Sequence, residues 1–364
     1  MTRGRGIDVP PNTGCRRRGP LRFSRRLRLG LCVALVLAVL TSCSCAGPDD
    51  RESPKPPAAP RVLLITAHPD DETMFDLGRF RERGWEVSIA LVTNGENGQV
   101  VQAVRAPYDP TTDDDILVEK HPGPGTWLTT PPQGPRRRQI RSPVALARER
   151  RKEFIDSLSL HGVTTIYFLS GLQRADFEDS WDNGVANWDK GLLTERLEQV
   201  VRLARPDIII TLNPGETWAH PQHWGLARIV QSLLDEGAFD TPGSPRPALY
   251  GIREHGWYTR SLLPQPGDLQ FDRTAASQVL QKTYAEDWQE ATSSYISQSS
   301  HPDWFAARVS AGILPGYGAI DIIRLLEPGA GQPRLDVLFE RYRPDRAEMA
   351  RLPMTPDVID LFGE

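Results

Sequence analysis

The sequence predicts an α/β fold, in which a mostly parallel, Rossmann-like sheet has helices on both faces and a less regular C-terminal lobe follows. Two observations support this prediction. Short apolar runs, typical of strands buried on both faces, alternate with helical patterns from Arg61 onward. Clusters of histidine and carboxylate side chains also follow two of these runs, and the carboxyl ends of parallel strands are where such sheets bind ligands.

The individual elements follow from apolar runs, helical periodicity and residues that begin or end helices. Pro143 suits the first turn of a helix that Gly162 would end, and Gly84 would end an earlier helix. Strands are predicted at residues 62–66, 87–93, 165–169, 207–212 and 249–252, and helices at residues 72–83, 143–160, 192–204 and 224–234. Right-handed crossovers would join these strands into one parallel sheet.

Residues 1–43 are predicted to be an export signal outside the fold. An arginine-rich start precedes an apolar run that is too short to span a bilayer. Leu40-Thr41-Ser42-Cys43 resembles a bacterial lipobox, which implies cleavage before Cys43 and a lipid anchor on it. We therefore expect an exported protein held on the cell membrane, with an uncleaved anchor as the alternative. Arg25-Arg26 leaves a twin-arginine route and the general secretory route equally open.

The rest of the chain divides into a tether, a domain and a tail. Residues 44–60 are rich in proline and read as the tether, 61–345 as the domain and 346–364 as the tail. Within the domain, residues 95–142 interrupt the strand-helix alternation with proline, glycine, threonine and aspartate. We expect this insertion to be a lid or to face the substrate, and an ordinary surface loop is the alternative.

Composition excludes several classes of function. No cysteine follows Cys45, so the domain can have neither a cysteine nucleophile nor a cysteine-ligated zinc. The first 42 residues hold nine arginines and one acid, so their removal changes the net charge from −4 to −12. Such an acidic surface argues against nucleic acid as a partner.

The first polar cluster is Ala67-His68-Pro69-Asp70-Asp71-Glu72, directly after the strand at 62–66. His68 and Asp71 are three residues apart at the entrance to a helix, so they can share one cation. Asp70 lies between them and is free to hold a water molecule. The alternative is an acidic first helical turn with an incidental histidine, since negative charge is favoured there.

The second cluster, His220-Pro221-Gln222-His223, follows the strand at 207–212. Its two histidines could reach the same point as His68 and Asp71, because both clusters lie at carboxyl strand ends. Two histidines and one aspartate are a ligand set typical of catalytic zinc, which keeps one position open for water.

Together these motifs resemble the LmbE/PIG-L family of zinc-dependent N-acetylglucosaminyl de-N-acetylases. The six-residue motif from Ala67 is specific, while Arg150 with Glu153 and Ser297-Gln298 are weaker matches. The resemblance implies that His68, Asp71 and His223 bind Zn²⁺ or another divalent metal. It implies Asp70 as the general base, and His220 as the group that stabilises the tetrahedral intermediate or protonates the leaving amine.

Two residues depart from the family pattern. Gln222 stands where the family usually has an aspartate, so His220 is expected to be neutral more often. Trp218 stands where many members have a tyrosine, and an indole N–H donates one hydrogen bond but shuttles no proton. Trp218, His255 and Arg150 are the expected substrate contacts.

The expected function is zinc-dependent hydrolysis of an N-acyl group, with acetyl foremost, from an amino-sugar glycan or glycoconjugate outside the cytoplasm. One alternative is another N-acyl substrate, such as a lipid-modified glycan or an antibiotic. A second alternative is a non-catalytic sugar-binding lipoprotein, although binding alone does not need the base that Asp70 offers.

Overall fold

The computed structural model describes residues 58–97, 143–173, 175–217, 219–253, 264–292, 294–295, 297, 320–331 and 333–361. The predicted export signal with Cys43, most of the tether and insertion, and both Trp218 and His255 lie outside the described residues. No helix in the described ranges combines the length and apolar character that crossing a bilayer requires.

An eight-stranded sheet forms the centre of the described domain. Its strands are β1 (Arg61–Thr66), β2 (Glu86–Leu91), β3 (Thr165–Phe168), β4 (Ile208–Leu212), β5 (Ala248–Ile252), β6 (Asp268–Asp272), β9 (Ile320–Glu327) and β10 (Asp357–Asp360). They lie in the order β10-β3-β2-β1-β4-β5-β9-β6, and a separate two-stranded hairpin pairs β7 (Ala276–Ser277) with β8 (Lys282–Thr283). All pairs from β10 to β5 are parallel, which confirms the predicted sheet.

Helices cover both faces of this sheet, as predicted. They are α1 (Gly78–Arg81), α2 (Pro143–Leu160), α3 (Lys190–Ala204), α4 (Pro221–Asp235), α5 (Tyr284–Thr292), α6 (Leu335–Arg341) and α7 (Arg346–Met349). Side chains of β1 alternate between two apolar cores, with Leu64 in one and Leu63 in the other. Phe154 of α2 packs in the first core, while Leu197 of α3 and Leu226 of α4 pack in the second.

The single helix predicted at 72–83 is wrong, because the structure has two short pieces there. A 3₁₀ turn, Asp71–Met74, ends at Phe75, whose backbone is extended (φ −135°, ψ 137°) and whose ring is fully buried. The Asp76 carboxylate then accepts the backbone N–H of Gly78 at 3.1 Å, which begins α1 separately. Aspartate commonly caps a turn in this way, and it competes here with the helical pattern.

The chain order reverses at β1, which lies between β2 and β4. Val62 aligns with Val87 on one side and with Ile208 on the other. In open α/β sheets such a reversal leaves a crevice at the carboxyl ends of the two strands that diverge from it. Both polar clusters follow strands that border this crevice, β1 and β4, so the fold brings them to one place.

The C-terminal region belongs to the same sheet. Strand β9 runs antiparallel to both β5 and β6, so the predicted less regular lobe adds two strands as well as the hairpin and α5. Residues 346–364, predicted to be a tail, instead contribute α7 and the edge strand β10, which pairs with β3 in parallel. Asp357-Val358-Ile359-Asp360 is mostly exposed and carries charges at both ends, as edge strands often do, so its sequence lacked the apolar signal of a buried strand.

Candidate metal centre and active site

Asp71 is oriented by the end of β1. Its Oδ2 atom accepts hydrogen bonds from the backbone N–H groups of Ala67 at 2.9 Å and His68 at 2.8 Å. These bonds fix the carboxylate so that Oδ1 faces the histidines. One oxygen therefore serves the backbone and the other is available as a ligand.

Three donor atoms from the two clusters converge. His68 Nδ1 lies 2.9 Å from His223 Nε2, and Asp71 Oδ1 lies 3.0 Å from His223 Nε2 and 3.5 Å from His68 Nδ1. All three side chains are buried, with at most 8% of any residue exposed. The ligands that the resemblance implied are thus brought together, although their binding of a metal stays a prediction.

This triangle of donor atoms fits a divalent metal. Ligands about 2.0–2.1 Å from a tetrahedral zinc lie about 3.3 Å from one another, close to the three separations between His68, Asp71 and His223. With Nε2–H of His68 donated to Gln222, the 2.9 Å contact between the two ring nitrogens needs one positive charge, either a proton on His68 Nδ1 or a metal ion in its place.

The charges around His68 favour a cation as well. Burial alone would lower the pKa of His68, but the Asp71 carboxylate and then Asp179 raise it to about 10. Burial likewise disfavours charge on Asp71, yet the imidazoles of His223 and His68 hold its pKa well below the ordinary value. The pocket therefore attracts one positive charge, which a metal can supply in place of the proton.

Asp70 is placed as a candidate base beside this triangle. Burial, and next the charge of Asp71, raise its pKa to about 7, against the opposing charges of Arg150 and His68. A carboxylate with a pKa near neutrality is well matched to general-base catalysis. Its backbone has the unusual values φ 156° and ψ −14°, held by Thr73, whose Oγ1 and N–H both donate to the Asp70 carbonyl. Backbone outliers of this kind cluster at functional sites.

His220 is the N-cap of α4, where its Nδ1 accepts the N–H of Gln222 at 3.2 Å. The protonated nitrogen of the neutral ring is then Nε2. Burial, followed by the charges of His68 and His223, lowers the pKa of His220 to about 2, so the ring is neutral. A ring nitrogen of His220 lies within 4.8 Å of ring nitrogens of both other histidines.

Sequence reasoning missed the residues that hold His68 from behind. Gln222 is fully buried, and its Oε1 accepts the Nε2–H of His68 at 2.7 Å, which directs Nδ1 toward the other donor atoms. The Gln222 side-chain amide donates to the carbonyls of Glu178 and Gly184. Asp179 Oδ1 lies 3.5 Å from His68 Nε2. Gln222 therefore acts on His68, whereas the sequence had linked it to His220.

Trp181 was also missed. Its side chain is 56% exposed, and its ring meets that of His220 edge to face, with centroids 4.5 Å apart. Trp181 lies in the loop after β3. A run of acidic residues around this tryptophan, Asp176 to Asp182, is the sequence signal that could have indicated the loop.

Arg150 is not exposed to solvent. It is buried on α2, and its Nη1 donates to the Gly95 carbonyl at 3.0 Å. Gly95 has φ 67°, and a Cβ there would lie 2.6 Å from Arg150 Nη1, so the close approach requires glycine. Three residues further along the helix, Glu153 accepts a hydrogen bond from Ser297 Oγ at 2.6 Å, so the two weaker motifs of the resemblance meet in the fold. Substrate contact by Arg150, Trp218 and His255 stays a prediction.

The fold and this site define a class: an α/β protein with a histidine and carboxylate donor set in the crevice where its parallel sheet reverses order. Within that class, residues 63–234 match the family model described as PIG-L: GlcNAc-PI de-N-acetylase. The match covers 172 of the 364 residues, and it confirms the resemblance that the sequence motifs indicated.

Curated relatives have one recurrent name. The 1D-myo-inositol 2-acetamido-2-deoxy-alpha-D-glucopyranoside deacetylase of Streptomyces griseus subsp. griseus is 26% identical over 196 residues, 52% of this chain and 53% of that protein. The protein of the same name from Streptomyces scabiei is 28% identical over 203 residues, with 52% and 53% covered. The chain thus spans about half the length of the curated relatives it matches.

Among solved structures, N,N'-diacetylchitobiose deacetylase from Pyrococcus horikoshii aligns with 84% of this chain and 95% of its own. The TM-score is 0.44 and the identity is 17%.

Proposed function

We propose that this protein is a metal-dependent hydrolase that removes an N-acyl group, acetyl foremost, from an amino-sugar glycan or glycoconjugate. The observation that carries the proposal is the meeting of His68, Asp71 and His223 at one point, with a separate carboxylate, Asp70, beside them. The names of the relatives, which are deacetylases of sugar conjugates, support the amide and the sugar.

The residues divide the chemistry among them. His68, Asp71 and His223 would hold a divalent metal, with zinc as the expected ion, and such an ion would supply Lewis-acid chemistry for the amide carbonyl and the water. Asp70 takes the proton from the attacking water and returns it to the leaving amine. His220 offers its Nε2–H to the oxygen that becomes negative. A neutral histidine at a helix N-terminus is suited to donating a hydrogen bond to this oxygen and is less suited to transferring a proton. Triosephosphate isomerase uses a neutral histidine at a helix N-terminus in the same way.

The test is a release assay. The full chain is incubated with N-acetylated glucosamine oligomers, an N-acetylglucosaminyl inositol and a longer-chain N-acyl glucosamine, with added zinc or with chelator, and free carboxylate is measured. Zinc-dependent acetate release supports the proposal, and release of only the longer acid favours the alternative acyl substrate. Binding of the sugars without any release would instead favour the non-catalytic sugar-binding lipoprotein.

Trp181 is the proposed platform for the sugar ring, because it is exposed and touches His220. Trp181→Ala is expected to raise KM by ~3–10-fold with little change in kcat, since one aromatic contact contributes about 0.5–1.5 kcal/mol. The measurement is steady-state kinetics on the best substrate of the panel. Leu203→Ala is the matched control, because Leu203 is 54% exposed on α3. A Trp181 variant with wild-type KM would contradict the assignment.

We also propose that the protein is exported and anchored by a lipid on Cys43, because Leu40-Thr41-Ser42-Cys43 fits a lipobox. Cys43→Ala is expected to move the protein out of the membrane fraction or to leave its N-terminus uncleaved. Cys45→Ala, two residues away, is the control and should stay at the membrane. Intact-mass spectrometry that finds an unmodified Cys43 within an uncleaved N-terminus would reject the anchor.

A further inference from the structure

A second buried cluster lies between three helices. Asp76 lies two residues before the start of α1, His161 directly follows the end of α2, and Asp287 belongs to α5. Each of the three residues is at most 2% exposed. None of them belongs to the metal centre described above.

The cluster contains several polar atoms without hydrogen bonds. Within the described part of the chain, neither ring nitrogen of His161 has a hydrogen-bond partner, and neither does Oδ2 of Asp76 or Oδ2 of Asp287. His161 Nδ1 lies 3.5 Å from Asp287 Oδ2, and one donor atom from each residue lies within 4.8 Å of the other two. Buried polar atoms are nearly always satisfied, so a group of them facing one point calls for a ligand.

As in Asp71, one carboxylate oxygen of Asp76 and of Asp287 is engaged by neighbouring groups and the other is not. Asp76 uses Oδ1 for the Gly78 N–H at 3.1 Å, and Asp287 uses Oδ1 for Arg81 Nη2 and Lys282 Nζ, both at 2.9 Å. In both residues Oδ2 has no hydrogen-bond partner among the described residues, and Oδ2 of Asp287 lies 3.5 Å from His161 Nδ1. Gly78 makes room for this arrangement, because a Cβ there would lie 2.4 Å from Asp287 Oδ2.

Charge in this region also favours a cation. Burial, and next the carboxylates of Asp287 and Asp321, raise the pKa of Asp76 to about 8. Arg273 is engaged by Asp321 at 2.6 Å, and the cations on Asp287 occupy its other oxygen. The charges of Arg273 and Arg79 oppose the rise in the pKa of Asp76 without cancelling it.

We propose that Asp76, His161 and Asp287 form a second, structural divalent-cation site, separate from the candidate active site. One histidine nitrogen and two carboxylate oxygens are suitable ligands for zinc. An ion there joins the start of α1, the end of α2 and α5, which otherwise meet around unsatisfied polar atoms. It stabilises the folded chain without taking part in hydrolysis.

The experiment measures zinc per folded chain by elemental analysis after loading with zinc alone. Wild type is expected to hold about two ions, the His68→Ala/His223→Ala variant about one, His161→Leu about one, and the combined variant none. Glu82→Gln is the control, because Glu82 is a fully buried carboxylate close to α1 whose oxygens are already bonded by Ser277 and Tyr284. It should retain two ions.

Equal zinc content in wild type and His161→Leu would overturn the proposal. If His161→Leu does not fold, the near-isosteric Asp76→Asn replaces it, and the His68→Ala/His223→Ala variant is melted with and without zinc. A zinc-dependent rise in the melting temperature of that variant supports the second site, and no rise overturns it. Failure of the candidate active site is distinguishable, because it appears as unchanged zinc content in the His68→Ala/His223→Ala variant.

Discussion

Replacing His223 with alanine is expected to remove one zinc per chain and to lower turnover by ~10³–10⁴-fold, because the Lewis-acid contribution of the metal, several kcal/mol, is lost with it. His223 Nε2 is the atom nearest to both other donors, 2.9 Å from His68 Nδ1 and 3.0 Å from Asp71 Oδ1. Loss of the His223 imidazole therefore removes the donor that lies closest to both remaining ligands. The measurements are elemental analysis and acetate release.

Arg228→Ala is the matched control for this variant, since Arg228 is exposed on the same helix, α4. It should keep both the metal and the activity. Wild-type zinc affinity in His223→Ala, measured by competition with a chelator, would show that the ligand assignment is wrong.

Asp70→Asn is expected to keep its zinc while turnover falls by ~10²–10⁴-fold, the usual contribution of a positioned general base. The substitution preserves size and removes the basic oxygen. Asp70 is not needed for the triangle that His68, Asp71 and His223 form, so metal content should not change. A variant that loses zinc and activity together would make Asp70 a ligand and not a base.

If Asp70→Asn hydrolyses at the wild-type rate, the base must be another group. Glu72 is a poor substitute, because it is fully buried and its Oε1 already accepts hydrogen bonds from Tyr295 and Ser157. Burial also raises its pKa to about 8, against the hydrogen bond from Tyr295. His220 is also a weak base, because burial lowers its pKa to about 2 and its Nδ1 already accepts the Gln222 N–H.

The sequence predicted the parallel sheet well because its strands are buried on both faces and therefore read as continuous apolar runs. The run before His68 and the run before Asn213 are the clearest cases, and both became central strands. Since each polar cluster lies beyond the carboxyl end of such a run, adjacency of the strands sufficed to bring His68 and Asp71 to His223. This part of the site could therefore be predicted from the position of each cluster relative to its strand.

Other features depend on contacts that spacing does not encode. Gln222 bonds His68 across the site, and Asp179 approaches the same ring from the loop after β3. Neither contact has a periodicity or motif that marks it in one sequence. Strand β10 was missed for a different reason: it lies at an edge, where burial does not demand an apolar run.

Gln222 also links two properties of the protein that are usually treated separately. Its Oε1 holds the ring of His68, and its amide holds the backbone of the loop that carries Trp181. An aspartate at this position could accept from His68, but it could not donate to the two carbonyls. If the proposed function holds, metal affinity and order in the loop that carries Trp181 share one coupling free energy, and such coupling is reciprocal. Metal loading would then order the loop for its sugar, and a bound sugar would raise the affinity for the metal.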